Sequence, residues 1–68
     1  MSTSEAEVAR LADAMLRMLA AEPRFFIDLV RAFPEVPYRA VLLAWGRVRE
    51  RVRLARDEEG RYLAPPAA

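Results

Sequence analysis

Val52-Arg53-Leu54-Ala55-Arg56-Asp57-Glu58-Glu59-Gly60-Arg61-Tyr62-Leu63 is the stretch that decides the fold. Val52 and Leu54 alternate with Arg53, the two-residue period of a strand with one buried face. A second apolar pair, Tyr62 and Leu63, closes the stretch. The polar run between them ends in Gly60, and glycine is the residue that accepts positive φ at a hairpin corner. The expectation is a short β-hairpin with strands over 52–56 and 61–64.

Everything upstream has a helical period instead. Ser4-Glu5-Ala6-Glu7 fits a capping box, in which Ser4 accepts from the Glu7 N–H and Glu7 reaches back to Ser4. Behind it Val8, Leu11, Met15, Met18 and Leu19 recur at steps that draw one apolar stripe. The spacing predicts a helix over 5–21, ended by Pro23, whose ring disfavours helix in the residue before it. Pro23 is then suited to open a second helix, where its missing N–H costs nothing. That helix is expected over 24–33, burying Phe26, Leu29, Val30 and Phe33, with Asp28 and Arg31 facing out. Pro34 and Pro37 bracket a stiff connector that no helix can cross. A third helix follows over 37–50, its inward stripe being Val41, Trp45 and Val48, continued by Val52. The expected core is Leu11, Met15, Met18, Leu29, Phe33, Val41, Trp45, Val48 and Leu54.

The fold class is therefore mainly α with a terminal hairpin (α+β). The 68 residues are expected to form a single domain over 1–64, near the lower size limit for folding without staples. Ala64-Pro65-Pro66-Ala67-Ala68 has no pattern and reads as a loose tail, set off at 65–68. There is no Cys to form a disulfide or a thiolate metal site, which fits a reducing cytoplasm. An apolar content of 54% suits a packed chain rather than a disordered one. The longest apolar run, Ala40 to Trp45, is far short of a membrane span, and the polar, acidic start does not resemble a signal peptide.

The order of elements resembles the winged helix-turn-helix family, over roughly residues 8–63. Leu11-Ala-Asp-Ala-Met-Leu-Arg-Met-Leu19 resembles that family's first helix. Val41, Trp45 and Val48 resemble the apolar turns of its third helix, with Val52 and Leu54 entering the wing. Asp57-Glu-Glu-Gly-Arg-Tyr62 resembles the wing turn and returning strand. The resemblance implies a three-helix winged helix-turn-helix with a two-stranded wing. It supports a fold more than a function. This chain departs from the pattern at three places. Val52 stands where helix three often ends in Gly, and Pro34-Glu35-Val36-Pro37 replaces a small polar turn. The exposed face of helix three offers Tyr38, Arg39, Ala40, Leu42, Leu43, Gly46 and Arg47. DNA-binding members carry mostly polar base readers there.

Composition argues against catalysis. The chain has no His, Cys or Lys, so the usual general base, thiolate nucleophile and Schiff-base amine are missing. Apart from Tyr38 and Tyr62, its hydroxyls are Ser2, Thr3 and Ser4, on a terminus expected to fray. Glu58 and Glu59 are paired carboxylates only at a hairpin tip open to water. Asp57-Glu58-Glu59 lacks the spaced oxygen ligands of a calcium loop. No cofactor, metal, membrane or small-molecule substrate is expected.

Two readings remain. Net charge is +1, from 11 Arg and 10 acids, with seven of the arginines in residues 35–68. An all-Arg complement suits bidentate contacts but equally reflects codon bias. Under the first reading the chain is a non-catalytic interaction module, a homodimer or a small accessory subunit of a larger complex. Phe25 is expected to be exposed because it cannot share the inward face with Phe26, and one of Leu42 and Leu43 is expected to face out for the same reason. These three form the expected protein interface. Under the second reading the chain is a small DNA-binding regulator. Arg39 and Arg47 would reach the groove, and Arg49, Arg51, Arg53 and Arg61 would grip phosphates. The acidic wing tip and the apolar third helix favour the first.

Overall fold

A computed structural model of the chain describes residues 4–65. Three helices precede one hairpin: α1 Glu5–Ala21, α2 Phe26–Ala32, α3 Tyr38–Arg51, β1 Ala55–Arg56 and β2 Tyr62–Leu63. This is the three-helix layout with a hairpin wing that the sequence period predicts.

α1 starts where Ser4 caps it. The Ser4 hydroxyl accepts from the Glu7 N–H at 3.1 Å, satisfying one of the first-turn donors. The return bond predicted from Glu7 is absent among the described residues. α2 begins two residues later than expected. Its N-cap is Phe25, in an extended conformation, and the Asp28 carboxylate accepts from the Phe25 N–H at 3.0 Å. Asp28 therefore closes the start of α2 rather than facing solvent unengaged. Pro23 does not open the helix, because Arg24 is occupied as a strand partner. The Arg24 N–H donates to the Tyr62 carbonyl at 2.9 Å and the Tyr62 N–H donates to the Arg24 carbonyl at 2.7 Å. Pro37 caps α3 from outside instead of forming its first turn.

α1 and α3 form the main packing pair. Met15 and Leu19 of α1 meet Val41 and Val48 of α3, with Leu29 of α2 completing a fully buried centre. Val8, Ala12, Ala40, Ala44 and Ala64 are buried with them. The predicted core members Leu11, Met18, Phe33, Trp45 and Leu54 pack against this centre but keep part of their surface in water. The difference has a physical cause. Ala12 and Ala44 share the closed centre with Met15, Leu19, Leu29, Val41 and Val48, and a domain this small leaves the remaining large groups at its margins. Ala64 also leaves the expected tail, because it is buried and its N–H points to the Leu19 carbonyl at 3.4 Å. The rest of that tail beyond Pro65 lies outside the described residues, as do Ser2 and Thr3.

The wing is shorter than its alternating pattern implied. β1 pairs antiparallel with β2 through Ala55 with Leu63 and Arg56 with Tyr62. Val52 is the extended C-cap of α3, and Leu54 lies in the connecting segment, so both precede the ladder. Gly60 takes the corner at φ +87, the conformation that its position called for.

Ala44 is fully buried in the helical core. Ala44→Leu should therefore overpack the core and destabilise the fold by about 1–3 kcal/mol. A urea unfolding midpoint unchanged from wild type would show that this position is looser than described.

Candidate interaction surface

Among the described residues, five large apolar side chains are exposed: Phe25 at 42%, Ile27 at 50%, Tyr38 at 57%, Leu42 at 44% and Leu43 at 50%. Three of them, Tyr38, Leu42 and Leu43, stand on the first half of α3. Sequence reasoning expected one of Leu42 and Leu43 to pack inward, and neither does. The inward arc of α3 runs from Ala40 through Ala44, Val48 and Val41 to Trp45. At about 100° per residue that arc leaves Leu42 just outside one edge and Leu43 outside the other. Phe25 is exposed as expected, but from the N-cap of α2 rather than from a helical turn. Tyr38 is exposed on the face of α3 where the sequence placed it, and Ile27 is exposed on α2.

The arginines divide into two groups. Arg47 pairs with Glu5, and Arg51 donates to Asp13 at 2.6 Å, so both point back across α1. Arg61 donates to Asp57 at 2.7 Å and lies 3.5 Å from Glu59. Glu50 forms no ion pair among the described residues. Arg39, Arg49, Arg53 and Arg56 have no carboxylate within ion-pair distance among those residues. Three of these four, Arg49, Arg53 and Arg56, line one open depression of about 490 Å³ between the end of α3 and the wing. Val52, Leu54 and Tyr62 complete its wall. Of the six arginines named for a nucleic-acid surface, Arg49 and Arg53 are thus brought together, while Arg47, Arg51 and Arg61 are engaged elsewhere. Arg39 stays on the outer face of α3. Arg56 was not among the six. Its place in the depression comes from pairing opposite Tyr62, a register that the strand pattern alone did not fix.

An aromatic line holds this surface in place. Phe26 and Trp45 lie 5.2 Å apart at their centroids, and Trp45 meets Tyr62 edge-on at 5.0 Å. The Arg56 guanidinium sits 4.5 Å above the Tyr62 ring and donates to its hydroxyl. Such contacts are favourable beyond their buried area.

The wing tip is built on Asp57. Its carboxylate accepts from the Glu59 N–H at 3.0 Å, the Arg61 N–H at 2.9 Å and the Arg61 Nε at 2.7 Å. Partial desolvation pushes the Asp57 carboxyl up. The hydrogen bonds from the Arg61 backbone, the Arg61 side chain and the Glu59 backbone, with the Arg61 charge, outweigh it and hold the group below its ordinary value. Its partner's guanidinium is raised chiefly by the same bond. Glu58 and Glu59 are exposed beside it. No described helix is long and apolar enough to cross a membrane. Comparison with family models, with curated proteins and with solved structures finds no match.

A carboxyl whose folded-state pKa is depressed stabilises the fold above its unfolded pKa, and that contribution is lost as pH falls through the folded value. The Asp57 carboxyl should therefore titrate below about 3.9, the ordinary aspartate value. The Glu59 and Arg61 amide resonances should shift with it in an NMR titration, while helical signals stay. A midpoint at or above the ordinary value would remove Asp57 as the organiser of the turn.

Proposed function

We propose that this chain is a non-catalytic winged-helix module whose work is protein–protein contact, as a homodimer or as a small accessory subunit. The observation that carries the reading is the exposure of Tyr38, Leu42 and Leu43 on the outer face of α3, with Phe25 and Ile27 exposed on the segment that starts α2. Scattered single leucines are ordinary on a protein surface. Several on the solvent side of one helix, in a chain this small, are what a partner's surface would cover. The absence of His, Cys and Lys from the sequence supports a module without catalysis.

The second reading, a DNA-binding regulator, draws support from Arg39, Arg49, Arg53 and Arg56, which have no acidic partner among the described residues. Three observations weigh against it. The arginine stripe is broken where Arg47 and Arg51 turn to Glu5 and Asp13. The groove-facing positions hold leucines rather than base-reading groups. Two exposed carboxylates stand at the wing tip, where a phosphate backbone would approach.

Leu43→Glu should leave the circular dichroism spectrum unchanged, since an exposed site away from packing usually shifts stability by no more than about 0.5 kcal/mol. The same change should abolish association measured by sedimentation, because an unpaired charge buried at an interface costs several kcal/mol. A wild type that stays monomeric at high concentration, and that brings no second protein with it from its host, would remove the support for this reading.

Duplex DNA should bind no more tightly than about 10⁻⁴–10⁻⁶ M at about 150 mM salt, the non-specific range. A nanomolar, sequence-dependent complex lost on Arg39→Ala would establish the regulator instead.

A further inference from the structure

The depression between the end of α3 and the wing is a second surface, separate from the apolar face of α3. Arg49, Arg53 and Arg56 converge on it with no acidic partner among the described residues, although the chain as a whole carries ten acids against eleven arginines. The other arginines of this half, Arg39 apart, are neutralised where they stand: Arg47 by Glu5, Arg51 by Asp13 and Arg61 by Asp57. Positive charge is thus gathered at one concave spot. Its wall is partly apolar, from Val52, Leu54 and Tyr62, and the Tyr62 ring fixes the Arg56 guanidinium above it.

We infer that this depression binds an acidic peptide segment of a protein partner, its carboxylates taken by Arg49, Arg53 and Arg56. The inference rests on the protein-partner reading and gives that partner a chemistry. Guanidinium groups match carboxylates in bidentate geometry. The apolar wall suits the methylene stems of Glu or an adjacent apolar side chain, which an acidic peptide supplies. A nucleic-acid backbone needs a continuous basic track, and here the track is interrupted on the α3 side at Arg47 and Arg51. On the wing side it meets the exposed Glu58 and Glu59. A short acidic segment needs only the one spot.

The experiment uses the full chain, a fluorescein-labelled deca-glutamate peptide with one terminal Leu, and a labelled 20-base-pair duplex, read by anisotropy at about 50 mM salt, where surface charges are less screened. The peptide should bind more tightly than the duplex. The double variant Arg49→Ala/Arg53→Ala should weaken it about tenfold or more, since two charge-assisted contacts are lost. Arg17→Ala/Arg31→Ala, at exposed arginines of α1 and α2, should stay within about twofold because the net charge change is the same but the site is intact. Leu43→Glu lies outside the depression and should retain peptide binding, so failure of the apolar interface and failure of this site are read separately. Peptide binding that is undetectable, or equally weakened by both double variants, overturns the proposal. Tighter binding of the duplex that is lost with Arg49 and Arg53 also overturns it and assigns the depression to a phosphate backbone.

Discussion

Tyr62 is the residue on which the arrangement of helices and wing depends. Its backbone is paired on both sides, to Arg24 ahead of α2 and to Arg56 in β1. Its ring meets Trp45 of α3 on one side and carries the Arg56 guanidinium on the other. An isolated two-stranded hairpin of this length is at best marginal in water. Here the returning strand borrows a third partner from the Pro23–Phe25 segment, and Ala64 just beyond it is buried beside Leu19. The returning strand is consequently tied to the core, while β1 stays exposed. The Tyr62 backbone ties the start of α2 to the wing, and its ring joins Trp45 of α3 to the wall of the basic depression.

The same constraint explains what could and could not be read from the sequence. Helix positions were legible because 3.6-residue periodicity and caps are local. Ser4, the prolines and Val41, Trp45 and Val48 fixed all three helices to within about two residues. The hairpin corner was legible because Gly60 at positive φ has few substitutes. The Arg24–Tyr62 bridge was not legible, since it joins residues far apart in the chain and leaves no periodic trace in a segment of one residue. Missing it moved the expected start of α2 onto Pro23. The core list erred in a related way. It followed the larger residues of each apolar stripe and so passed over Ala12, Ala40 and Ala44, which are buried at the α1–α3 crossing beside Met15, Leu19, Val41 and Val48.

Among the site residues, exposure of Phe25 and of one of Leu42 and Leu43 followed from counting inward positions; the other leucine is exposed too, because Ala40 and Ala44 occupy inward positions of α3. Charge was harder. A sequence lists eleven arginines as equals, whereas folding distinguishes them by what α1 places opposite. Glu5 and Asp13 are remote in sequence from Arg47 and Arg51, and only the packing of α1 on α3 brings each pair together. These pairs are exposed and each contributes little to stability. Their larger consequence is to remove two arginines from the surface field and leave Arg49, Arg53 and Arg56 as its centre.

Size gives the exposed apolar face its weight. A domain under about 70–80 residues rarely draws more than 3–5 kcal/mol from its core. Among the described residues this chain nevertheless leaves five large apolar groups in water, while four of the buried positions are alanine. Covering that face would remove apolar area from solvent at roughly 25 cal/mol per Å² before the costs of association. A partner that binds only the folded chain adds about 2.7 kcal/mol of stability at a hundred times its Kd. That increment is comparable with the whole stability expected of the isolated domain. On the proposed reading, folding and partner binding would be coupled. A substitution in the core, such as one at Ala44, would then weaken partner binding through the folded population even though it touches no interface. A substitution at Leu43 would act the other way: it would remove the partner's stabilisation while leaving the isolated fold as it was.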